Sequence, residues 1–599
     1  MKRAFVLIED AIAAFALATM VVLPLLEIGV RRVFGIGVPG SGPIVQHLTL
    51  WVGFLGAAIA AREGKLLSLA TGGLLPAGAA RRVAAIFTAA IGSGVAAILA
   101  AAAVEFVRAE RETGSTIGAG VPTWIAQIVL PVGFALIALR LVWRASPGWV
   151  GRLVAAVGLL AGLALALNPL VLEGRAAWPG VALIILAGAL GAPIFAILGG
   201  AAAILFMSDG ITSAAILIET YALSTSATLP AIPLFTLAGF ILAEGHASTR
   251  LLRVFRSLFG WIPGGSAVVC AVLCSFFTAF TGGSGVTILA LGGVLLPALI
   301  KDGYRERFSL GLLTASGSLG LLLPPSLPLM LYGVVAQIPI EDLFIGGLLP
   351  GLLLTAMMAA WGVREGLVSG AGRQRFESGE ARAALWAAKW ELALPVVVLV
   401  SMFSGIATAV EAAALTALFA LFSQAAIHRD LSVRKDLLRV FAECVGLIGG
   451  VLVILGVAVG LTNWMVGAQI PMRLLEWTRS AIDSQLVFLF ALNVFLVLVG
   501  CLMEIFPAIF VVVPLIVPLG LAYGIHPVHL GIIFIANLEL GYLTPLVGLN
   551  ILLASYRFKK PVLEVAYAAL PMAGIMAIGV LVITYVPWLT LGILQMLGR

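Results

Sequence analysis

The chain has 599 residues, of which 62% are hydrophobic and only 11% are charged, with a formal net charge of +7. Soluble domains carry about 25% charged residues, so this composition excludes a soluble protein. The basic residues lie in loops without interleaved aromatic side chains, which favours membrane anchoring over nucleic-acid binding.

Apolar segments of about 20 residues follow one another along the chain, and each is long enough to cross a bilayer. We expect roughly fifteen or sixteen spans or half-spans. Residues 1–145 form a first unit with four predicted spans, at about 5–28, 44–61, 82–104 and 121–143. These spans lack charges near their centres, which is typical of a scaffold.

Loop charges predict the orientation of this unit, because cytoplasmic loops carry an excess of Lys and Arg. We expect a retained first span with a cytoplasmic N-terminus. The predicted cytoplasmic basic residues are then Lys2, Arg3, Arg62, Lys65, Arg81, Arg82, Arg140 and Arg144, against Arg31, Arg32, Arg108 and Arg111 outside.

Residues 146–179 differ in character from the segments on either side. Ser146, Pro147 and Gly148 interrupt the chain, and an Ala/Leu/Gly-rich span follows at 149–168. A polar loop then leads into the next apolar segment. This pattern predicts a connecting helix between two units that could be separate chains.

Residues 180–599 carry glycine and proline inside apolar segments, which predicts interrupted helices and re-entrant hairpins that face a cavity. A charged loop at 364–382 divides this region into predicted repeats of about 180–363 and 386–599. When the chain is aligned with itself at one constant offset and without gaps, five glycines and prolines match: Pro297 with Pro518, Gly303 with Gly524, Gly320 with Gly541, Pro324 with Pro545 and Pro350 with Pro571. We call this offset the repeat shift. Internal repeats with matched broken helices point to a secondary transporter whose binding site lies at the repeat interface.

In the first repeat, residues 280–287 read FTGGSGVT, a polar tip between two apolar arms. A second break follows at 317–328, where GSLGLLLPPSLP contains two adjacent prolines that leave backbone carbonyls unpaired. Tip and break together would offer an oxygen-only environment suited to a hard cation. The alternative is that the glycines only allow tight packing.

In the second repeat, Glu504 lies inside the apolar run GCLMEIFP. A charge at that depth is costly, so a functional role is the default, and a capped or water-exposed hairpin tip is the alternative. The second break follows at Thr544 and Pro545, within the polar stretch 537–550. Glu411 lies just after Thr408 at the start of a span, where we interpret it as a carboxylate that stabilises a helix start.

No nucleotide-binding motif is present, so energy must come from an ion gradient or a partner protein. An integral membrane enzyme would need a convergent acid, base or metal constellation. The sequence contains isolated carboxylates and no HExxH-like or Ser/His/Asp grouping, which predicts a protein that is not an enzyme.

These motifs resemble the tripartite ATP-independent periplasmic (TRAP) transporters. The stretches that resemble the large membrane subunit are AIPLFTLAG (231–239), WIPGG (261–265), residues 281–292, GYRERF (303–308), residues 317–328, LPG (349–351), TAVEAA (408–413) and residues 537–550. The stretches that resemble the small subunit are WVGFLG (51–56), Arg-Glu-Gly at 62–64 and LPVGF (130–134). The connecting helix resembles that of fused versions.

The resemblance implies an all-α polytopic elevator-type transporter with inverted repeats, two re-entrant hairpins, broken helices and a four-helix small unit. It implies sodium-coupled uptake of a small carboxylate across the bacterial inner membrane, with the substrate delivered by a periplasmic binding protein. Sugar acids, keto acids and dicarboxylates are all candidates. We expect a monomeric permease with no cofactor besides Na⁺. The alternative is a stand-alone sodium/dicarboxylate carrier that needs no binding protein.

The resemblance also implies site residues. The sodium ligands carried over are Gly283, Ser284, Gly320, Leu323, Pro324, Glu504, Gly541 and Thr544, largely through backbone oxygens. The candidate substrate contacts are Thr281, Ser284, Thr287, Ser326, Glu504 and Asn550. The sequence departs from the family pattern at Gly283, usually a serine, at Glu504, usually an aspartate, and at Leu546, usually a second proline.

Overall fold

A computed structural model describes residues 2–68, 78–372, 375–403, 407–544 and 548–598. Apart from one short two-stranded ribbon, β1 (Thr116–Ile117) with β2 (Val121–Pro122), the described residues form helices, turns and connecting loops. By length and composition, twelve helices in this part of the chain can cross a membrane, or up to fourteen if each of two bent pairs is one span. The expected all-α polytopic fold is thus confirmed.

The N-terminal helices agree closely with the four predicted spans and the connecting helix, which is α6. In chain order they are α1 (Lys2–Phe34), α2 (Ser41–Glu63), α3 (Ala79–Thr113), α4 (Thr123–Gln127), α5 (Val129–Arg144), α6 (Trp149–Leu167), α7 (Trp178–Ala189), α8 (Ile194–Ser208), α9 (Ala214–Ser224) and α10 (Ala231–Glu244).

The later helices include the arms of both predicted hairpins, each pair joined by a very short turn. In chain order they are α11 (Ala247–Phe259), α12 (Gly265–Thr281), α13 (Ser284–Lys301), α14 (Glu306–Ser316), α15 (Leu327–Ala336), α16 (Ile340–Ser369), α17 (Ser378–Ala387), α18 (Lys389–Phe403), α19 (Ala409–Leu421), α20 (Leu437–Gly467), α21 (Ile470–Ala481), α22 (Gln485–Leu502), α23 (Ile505–Ala522), α24 (Pro527–Gly541), α25 (Leu549–Phe558), α26 (Val562–Tyr585) and α27 (Trp588–Met596). The predicted charged loop at 364–382 is shorter than expected, because α16 continues through its first residues to Ser369.

The chain divides into two compact units. The first contains Met1–Leu234 and Arg434–Leu474, and the second contains Phe235–Val433 and Leu475–Arg599. The first unit therefore combines the four N-terminal spans and the connecting helix with α7–α9 and α20.

Small residues let the helices of the first unit approach closely. A Cβ on Gly449 of α20 would overlap the backbone of Gly56 in α2, and a Cβ on Gly162 of α6 would overlap Gly94 in α3. Helix pairs in membranes associate through such small-residue contacts, because lipid supplies little hydrophobic driving force. The connecting helix α6 consequently packs against α3 over much of the length of α6.

One end of the first unit holds a buried ion cluster. Arg140 donates two hydrogen bonds of 2.7 Å to the Glu9 carboxylate. Arg62 donates to Glu9 at 2.8 Å and to Asp10 at 2.7 Å. Buried charges are tolerated when they are paired in this way, so the four side chains fix the ends of α1, α2 and α5 against one another.

The second unit contains two sets of helices that follow the same order. The repeat shift that the Gly and Pro positions predict also relates the helix boundaries: α13 begins at Ser284 and ends at Lys301, and α23 begins at Ile505 and ends at Ala522. The packing is reciprocal, since α13 lies against α25 while α15 lies against α23. Each hairpin's second arm thus contacts the second half of the other repeat's broken helix.

Candidate functional site

The first hairpin tip lies between α12 and α13. Helix α12 ends at Thr281, Gly282 adopts the left-handed conformation with φ of 66°, and α13 begins at Ser284. A residue with a side chain is strained in that conformation, so Gly282 allows the two arms to reverse direction here. Thr281, Ser284 and Thr287 are all buried beside the turn.

Three threonine hydroxyls converge beneath this tip. Thr278 Oγ1 lies 2.7 Å from Thr287 Oγ1 and donates to the Gly317 carbonyl at 2.8 Å. Thr281 Oγ1 lies 3.5 Å from Thr287 Oγ1. The hydrogen bond to Gly317 links the tip to the start of the first break.

The first break separates α14, which ends at Ser316, from α15, which begins at Leu327. Gly320 packs so closely on α12 that a Cβ there would lie 2.6 Å from the Ala279 nitrogen. Leu323 and Pro324 are half-buried on the turn that follows, where the Leu323 N–H donates to the Gly320 carbonyl at 3.0 Å. The predicted tip and break of the first repeat are therefore in direct contact.

Two serine hydroxyls at this break are buried without a hydrogen-bond partner among the described residues. They belong to Ser316 and to Ser326, the residue that precedes α15. Buried polar groups are nearly always paired, so an orphan hydroxyl signals a group available to a ligand or to water.

The second hairpin tip lies between α22 and α23. Met503 and Glu504 are extended, and α23 begins at Ile505. Under the repeat shift, Glu504 occupies the position of Gly283, directly before a helix N-terminus. The Ile505 N–H donates to the Tyr542 hydroxyl at 2.5 Å, and this bond joins the second tip to the second break.

The second break begins where α24 ends at Gly541. A Cβ on Gly541 would lie 2.7 Å from the Gly500 carbonyl carbon. Gly541 therefore packs against the first arm of the second hairpin, as Gly320 packs against α12, the first arm of the first hairpin. The Thr544 hydroxyl donates to the Gly541 carbonyl at 2.7 Å. Pro545 and Leu546, which the sequence singles out, lie outside the described residues.

Asn550 begins the half-helix after the second break and is buried. Its amide nitrogen donates to the Thr314 carbonyl of α14 at 3.1 Å, and its amide oxygen has no partner among the described residues. One turn along α25, Leu553 packs on Gly285 of the first tip. The structure thus brings α25 next to the first tip, although no hydrogen bond among the described residues joins Asn550 or Glu504 to it.

The predicted site residues therefore fall into three groups. The first tip and break contain Thr281, Gly283, Ser284, Thr287, Gly320, Leu323, Pro324 and Ser326, the second contain Glu504, Gly541 and Thr544, and Asn550 lies between the repeats on α25. Thr278 and Tyr542, which carry the hydrogen bonds from tip to break, are absent from the predicted set.

The predicted site set also omits the most deeply buried carboxylate of this region, although it lies in the polar stretch 537–550. Glu539 of α24 is fully buried, and neither of its carboxylate oxygens has a partner among the described residues. On the same helix, the Asn537 amide donates to Asn493 of α22 at 2.6 Å. The signal for Glu539 is present in the sequence, because an acid inside an apolar run is a functional candidate by default.

The donors gathered at both tips are oxygens of backbone carbonyls, hydroxyls and one carboxylate. Within the described residues, no group of three or more His, Cys, Asp and Glu side chains could hold a metal ion. Oxygen donors of low total charge suit a hard cation rather than a transition metal. The helix ends at the breaks also offer N–H groups to an anion and carbonyls to a cation.

Comparison with known families agrees with this architecture. The DctM-component model of the tripartite ATP-independent periplasmic transporters matches residues 181–589, and the DctQ-component model of these transporters matches residues 20–150.

Individual relatives include fused and separate permeases. An isethionate TRAP transporter permease protein from Oleidesulfovibrio alaskensis, DctMQ, is 33% identical over 491 residues, which are 78% of this chain and 74% of that protein. A C4-dicarboxylate TRAP transporter large permease protein from Vibrio cholerae is 32% identical over 383 residues, 61% of this chain and 84% of that protein. An ectoine TRAP transporter large permease protein from Halomonas elongata is 32% identical over 368 residues, 61% of this chain and 86% of that protein.

Proposed function

The chain belongs to the tripartite ATP-independent periplasmic transporters as a fused small-plus-large permease, and from this premise we propose that it couples sodium entry to uptake of a small organic acid. Permeases of this family are multi-pass membrane proteins, are not enzymes, and work with a periplasmic binding protein. We further propose the bacterial inner membrane with a cytoplasmic N-terminus as the setting.

The observation that carries the sodium proposal is the contact between each hairpin tip and its helix break. Gly320 packs against α12, and Gly541 packs against the end of α22. These two contacts bring backbone carbonyls, hydroxyls and Glu504 to two equivalent places. Sodium at these places would neutralise and order the tips, so that an anionic acid could enter beside them. The buried orphan oxygens of Ser326 and Asn550 are available as substrate contacts.

Coupling follows from the cost of burying unpaired groups. A carrier that holds only sodium or only the acid would move an uncompensated charge or unpaired oxygens through the membrane, and each such group costs several kcal/mol. The fully loaded carrier avoids this cost. The permease would therefore carry sodium and the acid across the membrane only together.

We propose an elevator mechanism, in which a mobile body carries the site across the membrane. This proposal is supported by the division of the chain into two compact units and by the presence of both hairpins and both broken helices in the second unit. The first unit, which contains the four N-terminal spans, would serve as the scaffold.

The names of the relatives differ in substrate: isethionate, C4-dicarboxylate and ectoine. We propose a small carboxylate as the substrate class, because the proposed cation sites lie beside the neutral hydrogen-bonding groups of Ser326 and Asn550 and the tips contain only one carboxylate, Glu504, among the described residues. A thermal-shift screen of the cognate binding protein against sugar acids, keto acids and dicarboxylates would identify the compound.

The proposal is tested by uptake into proteoliposomes that contain the purified permease. We expect uptake only when an inward sodium gradient and the loaded binding protein are both present. Equal uptake in potassium would contradict the sodium coupling. Full uptake without the binding protein would favour the alternative, a stand-alone sodium/dicarboxylate carrier.

A further inference from the structure

A basic cavity lies at one end of the first unit. Its volume is about 530 Å³, and it opens between the start of α3 and the turn that joins α5 to α6. Arg81, Arg82 and Arg144 line it together with Ser146 and small residues. The cavity is therefore large enough for a polar group of several atoms and is surrounded by positive charge.

The three cavity arginines lack the carboxylate partners that the nearby Arg62 and Arg140 have within the described residues. Arg62 and Arg140 are neutralised by Glu9 and Asp10. Arg144 donates to the Arg62 carbonyl at 2.9 Å, and none of the three cavity arginines forms an ion pair with a carboxylate in the described part of the chain. Residues 69–77, which precede the cavity, contain no acidic side chain. The cavity thus carries positive charge that the protein itself does not balance.

Two tryptophans beside the cavity mark its depth in the membrane. Trp143 and Trp149 flank the turn between α5 and α6, and their side chains are 52% and 69% exposed. The Arg152 guanidinium lies over the Trp143 ring, 4.2 Å from its centre. Exposed Trp residues are enriched at the headgroup level of the bilayer, which indicates that the cavity lies at that level.

An apolar groove runs along the same helices toward the membrane centre. Its volume is about 320 Å³, and its lining includes Ala101 of α3, Leu139 of α5 and Leu163 of α6. Leu139 precedes Arg144 by five residues, and Val104 of α3 follows Arg82 by twenty-two, so along the helices the groove lining lies between about 8 Å and about 33 Å from the cavity. A hydrocarbon core is about 30 Å thick, so the part of the groove nearest the cavity lies in the leaflet on the cavity's side.

We propose that one anionic phospholipid binds here, with its phosphate headgroup among Arg81, Arg82 and Arg144 and an acyl chain in the groove between α3, α5 and α6. Basic pockets between membrane helices recognise anionic headgroups by charge, and each basic residue near the surface contributes about 1 kcal/mol. The lipid would fill the junction where the four-span unit meets the connecting helix. This inference is independent of the transport proposal, because it involves neither hairpin.

The test uses the full-length permease, purified in detergent and depleted of lipid. Phosphatidylglycerol or cardiolipin is titrated in, with phosphatidylcholine as the zwitterionic comparison, and binding is followed by native mass spectrometry and by the melting temperature. We expect one retained anionic lipid per chain and a saturable rise in melting temperature that phosphatidylcholine does not reproduce.

The double variant Arg81→Gln/Arg82→Gln keeps Arg144 and its hydrogen bond to the Arg62 carbonyl, so the turn stays in place. We expect its affinity for the anionic lipid to fall about thirtyfold, at about 1 kcal/mol per arginine and tenfold per 1.4 kcal/mol. The double variant Arg81→Lys/Arg82→Lys retains the charge and should retain most of the binding.

The matched control is Arg32→Gln/Arg108→Gln. It removes the same charge from exposed residues at the far ends of α1 and α3 and should bind the lipid like the wild type. Equal stabilisation of the wild type by phosphatidylcholine would overturn the proposal. So would an equal loss of binding in the control variant, because the effect would then reflect net charge alone.

Discussion

The two hairpin tips of the second unit share a backbone arrangement and differ in chemistry. At the first, Gly283 precedes the helix and a group of hydroxyls lies beneath it, in which Thr287 contacts both Thr278 and Thr281. At the second, Glu504 stands in the equivalent position, and Tyr542 makes the bond from break to tip. The two tips thus share the close glycine contacts of Gly320 and Gly541 and differ in their side chains.

This difference has an electrostatic consequence for the proposed ion sites. A sodium ion among neutral oxygens at the first tip would leave a net positive charge, whereas a sodium ion beside Glu504 would be neutralised. An acid bound nearby would balance the remaining charge, which reduces the cost of moving the loaded carrier through the bilayer. We expect the two tips to respond differently to substitution.

The largest effect is expected from removal of the one carboxylate at the tips. Glu504→Gln should lower sodium-dependent uptake roughly tenfold to a hundredfold, since a bond to a charged group contributes about 1.5–3 kcal/mol. The measurement is the initial uptake rate in proteoliposomes at fixed sodium.

The matched control for this substitution is Glu411→Gln. The Glu411 carboxylate accepts from the Thr408 N–H at 2.8 Å in a capping box, as expected from its place at a helix start. Its loss should reduce stability by about 1 kcal/mol and leave uptake near the wild-type rate. Near-wild-type uptake in both variants would remove Glu504 from the site.

The next largest effect is expected at the close backbone contact between the first break and α12. Gly320→Ala would place a methyl group 2.6 Å from the Ala279 nitrogen, and relief of that overlap should cost about 1–3 kcal/mol and lower uptake about tenfold. Gly574→Ala is the control, because a Cβ on Gly574 meets nothing within 4 Å. If the two variants transport equally well, close contact between break and hairpin is not required.

A smaller effect is expected at the hydroxyl cluster of the first tip. Thr278→Val keeps the shape of the side chain and removes the hydrogen bonds to Thr287 and to the Gly317 carbonyl. We expect the sodium concentration for half-maximal uptake to rise roughly threefold to tenfold. Thr416→Val is the control, since within the described part of the chain the Thr416 hydroxyl bonds only to Ala412 of its own helix.

The smallest effect is expected at a surface ion pair between the repeats. Lys560 lies 2.9 Å from Glu306, whose hydrogen bond raises the pKa of the lysine above its ordinary value of 10.5. The lysine therefore keeps its charge through neutral pH and loses it only as the pH rises through its raised pKa. Lys560→Gln should change uptake less than about twofold at neutral pH, because exposed ion pairs contribute little to stability. A large loss of uptake in this variant would show that transport depends on this ion pair more than on the tips.

Much of this arrangement can be predicted from the sequence, because breaks in membrane helices leave a strong signal. Pro324 and Gly320 locate the first break, and the repeat shift relates the two hairpins before any coordinates exist. Composition cannot indicate which hydroxyls converge. Thr278 lies inside an apolar arm and is indistinguishable in sequence from a threonine that bonds only to its own helix.

The contact between repeats is likewise beyond sequence reasoning. That α13 packs against α25, and that Asn550 reaches Thr314, depends on how two distant segments fold together. Glu539 shows a different limit: its acidity is visible in the sequence, but its isolation from every described hydrogen-bond partner is a property of the packed helices.

The sodium dependence of the initial uptake rate tests the central claim most directly. Wild type, Thr278→Val and Glu504→Gln would be compared in proteoliposomes with saturating loaded binding protein, with sodium replaced by potassium at constant ionic strength. Two tips that must both be filled predict a sigmoidal curve for the wild type, and each variant should shift that curve to higher sodium. A hyperbolic wild-type curve, or a rate independent of sodium, would contradict the account.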